Sequence, residues 1–416
     1  MRILAVSDLY PPLTLGGYEV AAAEVADALR EKGHEVEVLA TDWGVSETTT
    51  DPPYVRRALH SRRRAGGPMW RVRLAEWERD DRRAMREALA RARPEVILLW
   101  NVGGVAHAAL TLLLNGSVPA VVYAFGDWPL RKHRAPHDLD PWTGQFAPRP
   151  EYMVRRALRG AAAAAATLGG APARAEPLRF THIAFGSRHL QDRFHAGGLV
   201  ADRSERVIYY GLFGAFATMA AEVRAQRHPG PPRLLFVGRI WDAKGLHTLI
   251  EAFPRLDAPG ATLTVVGPEE DTAYVARLRR TAAELGVGDR IAWSGAVPRD
   301  ALPNVYARHD VVVFPSTYEE PFGIVQLEAM AAGCAVVGTG TGGSAEILEP
   351  DRNALRFAPG DAESLAEQLR RLHADPGLAA RLGVAGKETV RRRFLGTRMA
   401  EEMTAYLGAV ASGVNA

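Results

Sequence analysis

Short apolar runs alternate with helix-period stretches along most of the chain. An apolar run at 3–6 precedes a helical pattern from about 19 to 31, a stop at Gly33 and a β-branched run at 36–40. Strand, helix, glycine stop and strand in that order predict a βαβ unit. Further strands are expected at 96–99, 120–123, 181–184 and 207–208. A second series follows at 234–237, 262–266, 290–293, 311–314 and 335–337. Helical stretches separate most of these runs, as parallel doubly wound sheets require. Between the two series, 223–232 is rich in Arg, Pro and Gly and ends HPGPP, which reads as an interdomain connection. The expected organisation is an α/β chain of two Rossmann-like domains, 1–222 and 223–396. A last helix within 397–416 is expected to cross back to the first.

Composition narrows the class. With 416 residues, 47% hydrophobic and 24% charged, the chain is too long for one ordinary core and too apolar for disorder. One cysteine, Cys334, excludes an internal disulfide framework and a Cys-based metal site, and fits a reducing compartment. The start MRILAVSDLYPP meets Asp8 and two prolines after one short apolar run, unlike a signal peptide. No 18-residue apolar stretch exists, so a cytoplasmic protein is expected. The formal net charge is only +3, but it is uneven: thirteen arginines against five acids lie between Arg56 and Arg93, with Arg62, Arg63 and Arg64 in succession. That surface is either an ordinary solvated face or one that attracts an acidic acceptor or anionic headgroups. Aromatic interleaving is sparse, so no nucleic-acid partner is expected. The stretch from Asp127 to Arg174, rich in Pro, His, Trp and Ala, reads as an irregular insertion over the first domain.

Three constellations carry chemistry. The first is Glu319-Glu320-Pro321-Phe322-Gly323-Ile324-Val325-Gln326-Leu327-Glu328, between two apolar strands. A helix starting near Phe322, with Pro321 suited to its first turn, would leave the amides of Gly323, Ile324 and Val325 as donors for phosphate. Glu328, about 7.5 Å along the axis from Gly323, would reach a ribose diol, and Glu320 the hydroxyls of whatever the diphosphate carries. The second is Gly238-Arg239 and Lys244-Gly245 after strand 234–237, where a forked guanidinium and a mobile ammonium would meet a diphosphate. The third is Gly16-Gly17 after the first strand, where the backbone can approach a phosphate. G-x-G-x-x-G is missing there, which counts against a nicotinamide enzyme. His107, His182, His189 and His195 lack ligand-like spacing, and no Asp-x-Asp is placed to bind a metal at phosphates.

These segments resemble the retaining glycosyltransferases of family 4, which have the GT-B architecture of two Rossmann-like doubly wound parallel-sheet domains facing a central cleft. The likeness covers most of the chain and is most specific from 234 to 348, through Glu320 and Glu328 of the E-x7-E pattern and GGSAEIL at 342–348. It implies a nucleotide-sugar held by the second domain and an acceptor by the first. Arg239 and Lys244 would hold the diphosphate, Glu328 the ribose and Glu320 the sugar. Gly17 would close over the phosphates, and the backbone near Val297 would line the base. Where the family often has T-x-H-D, this chain reads Tyr123-Ala124-Phe125-Gly126-Asp127, so Gly126 stands in place of the imidazole and Asp127 remains a candidate for catalysis. The expected activity is metal-independent, retaining transfer of a hexosyl unit from a nucleoside diphosphate sugar, UDP first among the nucleotides, to a hydroxyl of a small-molecule or lipid-linked acceptor. No other cofactor is expected; peripheral contact with an inner membrane face is an alternative location. An epimerase or hydrolase on the same fold, and a non-catalytic nucleotide-sugar-binding protein, are the rival readings.

Overall fold

The structure is a computed structural model, and the residues described are 1–14, 16–61, 70–134, 176–222 and 230–414. It divides into two compact units, Met1–Gly186 with Leu190–Ile208 and Ala400–Ala416, and Ser187–His189 with Tyr209–Met399.

The first unit holds a seven-stranded parallel sheet. Its strands are β1 Arg2–Ser7, β2 Glu35–Thr41, β3 Val55–Leu59, β4 Val96–Leu99, β5 Ala120–Ala124, β6 His182–Phe185 and β7 Ser204–Val207. They run in the order β3-β2-β1-β4-β5-β6-β7, in register from Ile3 opposite Val36 and Val96. The second unit holds six parallel strands: β8 Arg233–Val237, β9 Thr262–Val266, β10 Ile291–Gly295, β11 Val311–Phe314, β12 Ala335–Gly338 and β13 Leu355–Arg356. Their order is β10-β9-β8-β11-β12-β13. Central strands such as β5 and β11 are buried along their whole length, because helices cover both faces of a parallel sheet. The first unit's core gathers Leu4, Val6, Leu99, Val122 and Ile183, and the second's Leu234, Leu263, Val313 and Leu369.

In each sheet the chain winds outward in one direction and then in the other. The reversals fall between β1 and β4 and between β8 and β11. Crevices of open α/β sheets open there, outside the strands' carboxyl ends.

Several expectations need correcting. The division falls after Ile208 and not after residue 222, because helix Gly214–Ala221 packs on helices Ile324–Ala331 and Pro376–Arg393 of the second unit. The edge strands β3 and β13 had no counterpart in the expected series, and β7 begins at Ser204. The helix of the E-x7-E segment starts at Ile324, so Pro321 precedes it. The stretch after Asp127 opens as a regular helix, Trp128–Arg134; 135–175 and the arginines 62–64 lie outside the described residues. The last helix runs Gly396–Ala411, and from Ala400 onward it belongs to the first unit, where Tyr406 Oη meets Ser204 Oγ at 2.9 Å.

Candidate active site

In the second unit the site is built at the β8/β11 reversal. Gly238 takes φ 152°, and a side chain on Gly267, at the end of β9, would collide with its carbonyl oxygen. The chain then exposes Arg239, whose guanidinium lies 5.8 Å from the Trp241 ring. A 3₁₀ turn, Asp242–Lys244, ends at Gly245 with φ 68°, where any Cβ would strike the Pro315 carbonyl. The Thr317 amide donates to Ala243 O at 2.9 Å, so the turn is pinned to the segment leaving β11.

That pinning delivers Lys244 to Glu320, Nζ to Oε1 at 2.7 Å. Tyr318 Oη donates to the other carboxylate oxygen, Oε2, at 2.7 Å. Glu320 is buried, with its side chain 5% exposed against 17% for Lys244. Its backbone is fixed too. Gly342, at φ 59°, bridges Glu320 in parallel, and a Cβ there would lie 2.5 Å from the Glu320 carbonyl oxygen. The Gly343 amide donates to the same oxygen at 2.7 Å, and Ser187 Oγ donates to Pro321 O at 2.6 Å.

Gly323 caps the helix Ile324–Ala331 with φ 118°, a left-handed conformation that suits glycine. Gly323, Ile324 and Val325 are only partly covered, and the first amides of a helix lack intrahelical acceptors. Phe322 is different: its ring is buried, stacked on Tyr209 at 5.8 Å and edge-on to Phe394 at 5.7 Å. Only its backbone can serve a ligand.

Glu328 is buried and already engaged. Arg299 Nη1 donates to Oε1 at 2.6 Å and Tyr306 Oη to Oε2 at 2.8 Å. Burial, and then the neighbouring Glu328 charge, raise the Tyr306 pKa well above the usual phenol range, so it stays a donor. A carboxylate offers about four lone-pair sites, which leaves room for a diol after these two bonds. Half-buried Val297 sits between β10 and the turn that carries Arg299. Arg299, Tyr306 and Tyr318 escaped the sequence reading. Proximity along the chain to Val297 and Glu320 was the available signal for Arg299 and Tyr318; Tyr306 had none.

In the first unit, the Gly16 amide donates to Glu19 Oε2 at 3.0 Å as helix Gly17–Glu31 begins. Tyr18, also overlooked, donates to Tyr123 O at 2.8 Å and accepts from the Phe125 amide at 3.2 Å, tying this helix start to the end of β5. Asp127 pairs with Arg131 Nε at 3.2 Å, one turn along the next helix. A Cβ on Gly126 would meet nothing within 4 Å. The histidines have polar partners of their own: His107 Nε2 with Glu176 O, His182 with Ser204, His195 with Glu205. Among the described residues no group of three or more His, Cys, Asp or Glu could hold a metal, and no helix is long and apolar enough to cross a membrane.

A half-buried lysine paired with a buried glutamate four residues ahead of a helix amino end, at a sheet reversal, is suited to hold a phosphate and a polyol together. Comparison with known proteins supplies the family. Residues 220–389 match the profile of Glycosyl transferases group 1, and 15–167 that of Glycosyltransferase Family 4. The chain is a family 4-type glycosyltransferase with the GT-B fold. An uncharacterised glycosyltransferase of Methanocaldococcus jannaschii is 36% identical over 41% of this glycosyltransferase and 43% of its own length, so the chain spans less than half of that relative. A GDP-mannose-dependent phosphatidylinositol monomannoside mannosyltransferase of Mycobacterium tuberculosis is 28% identical over 68% of this chain and 79% of its own. HepE of Anabaena, solved in complex with UDP-glucose, superposes with TM-score 0.65 over 98% of this chain and 99% of its own at 18% identity.

Proposed function

We propose that this glycosyltransferase moves a hexosyl unit from a nucleoside diphosphate sugar to a hydroxyl with retained anomeric configuration and without a metal. The observation that carries the reading is the pinned Lys244–Glu320 pair ahead of helix Ile324–Ala331. In the reaction, the bond from the anomeric carbon to the diphosphate oxygen breaks and a bond to the acceptor oxygen forms on the same face. The acceptor proton passes to the leaving phosphate. Arg239, Lys244 and the amides of Gly323, Ile324 and Val325 meet the negative charge that grows on that phosphate. Lys244 keeps N–H groups beyond the one given to Glu320, and Glu320 holds a sugar hydroxyl. Glu328, preset by Arg299 and Tyr306, takes the ribose, with the base along the backbone at Val297. In the first unit Gly16 and Gly17 offer close backbone approach to a phosphate, and Asp127 orients the acceptor hydroxyl.

UDP is the proposed nucleoside diphosphate, by analogy with HepE; the mycobacterial relative's dependence on GDP-mannose puts GDP second. The acceptor is a small molecule or a lipid-linked one, the latter with peripheral membrane contact. Thermal shifts over UDP-, GDP-, ADP- and dTDP-sugars identify the donor, since a bound ligand raises apparent stability. Proton NMR of the product made with that donor then gives its anomeric configuration. Inversion would remove the mechanism, and turnover of donor alone would favour a hydrolase or epimerase.

A further inference from the structure

The arginine-dense segment 56–93 has no part in the proposed transfer, yet both its ends converge on one place. At the amino ends of β1, β2 and β3, the edge of the first sheet away from the β1/β4 crevice mouth, lies a cavity of about 620 Å³. Arg2, Arg30, Arg56, Arg91 and Arg93 all line it. They come from two strands, the last turns of two helices and the residue just after the second helix, so no single charged helix face accounts for them.

Glu35 and Glu37 are the carboxylates in the wall, which leaves three formal positive charges in excess. Arg91 is spent on Glu37, and Arg2 leans on Glu95 at 3.8 Å. Arg30 lies 4.0 Å over the Tyr54 ring and donates to Val36 O. Arg56 and Arg93 are exposed and have no carboxylate partner among the described residues. A concave wall with a net positive charge focuses its field on an anion more strongly than a flat patch does.

The backbone adds an independent sign. Arg93 follows helix Trp70–Ala92 with φ 40°, a position where helices favour glycine. The other two non-glycine residues with positive φ among those described are aspartates, which tolerate that region. An arginine there carries a local backbone cost.

We propose that this cavity is a binding site for a phosphate group, clamped by Arg56 and Arg93 and flanked by Arg30 on Tyr54. Guanidinium forks suit a phosphate's paired oxygens. The phosphate can belong to a small soluble ligand or to a lipid headgroup. The site is separate from the proposed donor site and does not depend on that reading.

Two probes test it on the full chain: inorganic pyrophosphate, and phosphatidylcholine vesicles with or without phosphatidylglycerol. Pyrophosphate should protect Arg56 and Arg93 from phenylglyoxal, read peptide by peptide, and protection should persist in Lys244→Ala. Arg56→Gln should weaken this binding about tenfold. Arg93→Gly should do the same while unfolding at an equal or higher temperature, because glycine relieves the positive φ. Vesicle binding that needs phosphatidylglycerol and is lost in both variants, without pyrophosphate protection, assigns the phosphate to a headgroup. Unchanged labelling of both arginines together with vesicle binding indifferent to the two substitutions overturns the site.

Discussion

The glycines around the second unit's reversal and two glycines of the first unit, Gly16 and Gly126, sit in opposite surroundings. Around β8 and β11, glycines are imposed by the chain itself: Gly245, Gly323 and Gly342 have positive φ, and an added Cβ at Gly245 or Gly342 would strike a backbone carbonyl. In the first unit, neither Gly16 nor Gly126 has a positive φ or a neighbour within 4 Å of an added Cβ. The fold alone requires the first group and leaves the second unexplained. The second unit's glycines are thus fixed by the fold, whereas the fold does not require glycine at 16 or 126, and under the proposed function Gly16 is there for close approach to a phosphate. Stability should report the one group and catalysis the other.

The largest effect is expected where fold and site coincide. Lys244→Ala should lower turnover at least about 100-fold, the scale of losing one donor to a developing anion. It also strands the buried Glu320 carboxylate, at a cost of about 3 kcal/mol or more. Lys244→Ala/Glu320→Gln should recover most of the stability and none of the turnover. Denaturant unfolding beside donor turnover measures both, and a single variant with wild-type turnover would remove the phosphate clamp.

Next come the glycines. Gly342→Ala should destabilise by about 2–4 kcal/mol, through the collision with Glu320 O and the left-handed backbone. Gly16→Ala should move stability by less than ~0.5 kcal/mol yet weaken donor binding, and Gly126→His should fold normally while shifting the donor preference. Equal destabilisation at 342 and 16 would erase the distinction between the two units.

The carboxylates sharpen the second unit's side of the comparison. Glu328→Gln should weaken the bare nucleoside diphosphate about tenfold by calorimetry, since Arg299 would lose its anionic partner and a ribose one of two acceptor oxygens. Glu320→Gln should leave that affinity nearly unchanged and cut transfer. Equal losses in affinity for the diphosphate would contradict the division of roles.

What could be read from the sequence follows the same physics. Strands buried on both faces, such as Val311–Phe314, are uninterrupted apolar runs and stand out. The edge strand Val55–Leu59 reads VRRAL, with Arg56 and Ala58 exposed, and carries no such pattern. Leu355–Arg356 is too short to carry one. Lys244 and Glu320 stand out in the sequence because flanking strands and glycines frame them. Arg299 and Tyr306 reach Glu328 from 29 and 22 residues away, a coincidence only the fold creates. Pro321 suggested an earlier helix start, but the left-handed Gly323 sets the cap two residues beyond it.

The smallest expected effect contrasts one ion pair in each unit. In the first, His60 Nδ1 meets Asp81 Oδ1 at 2.8 Å, and the imidazole stacks on Trp77 at 5.5 Å. The hydrogen bond to Asp81 raises the His60 pKa above its ordinary 6.5, against the opposing effect of burial. A raised folded-state value means the pair stabilises fully below the unfolded pKa and loses that contribution as pH climbs through the folded one. The Lys244–Glu320 pair contains no histidine, the side chain whose ordinary charge change falls between pH 5 and 8. His34 and His182, whose pKa values burial lowers, act in the opposite direction and lose stability as pH falls, so the whole-protein profile mixes both signs. The difference between wild type and His60→Gln cancels them. That difference in melting temperature should be greater near pH 5.5 than near pH 8, by about 1–2 °C, or roughly 0.5 kcal/mol for a partly exposed pair. The difference between wild type and Lys244→Ala/Glu320→Gln should stay flat over the same range. A flat His60→Gln difference would mean that the imidazole is neutral throughout and that Asp81 is held by its hydrogen bonds alone.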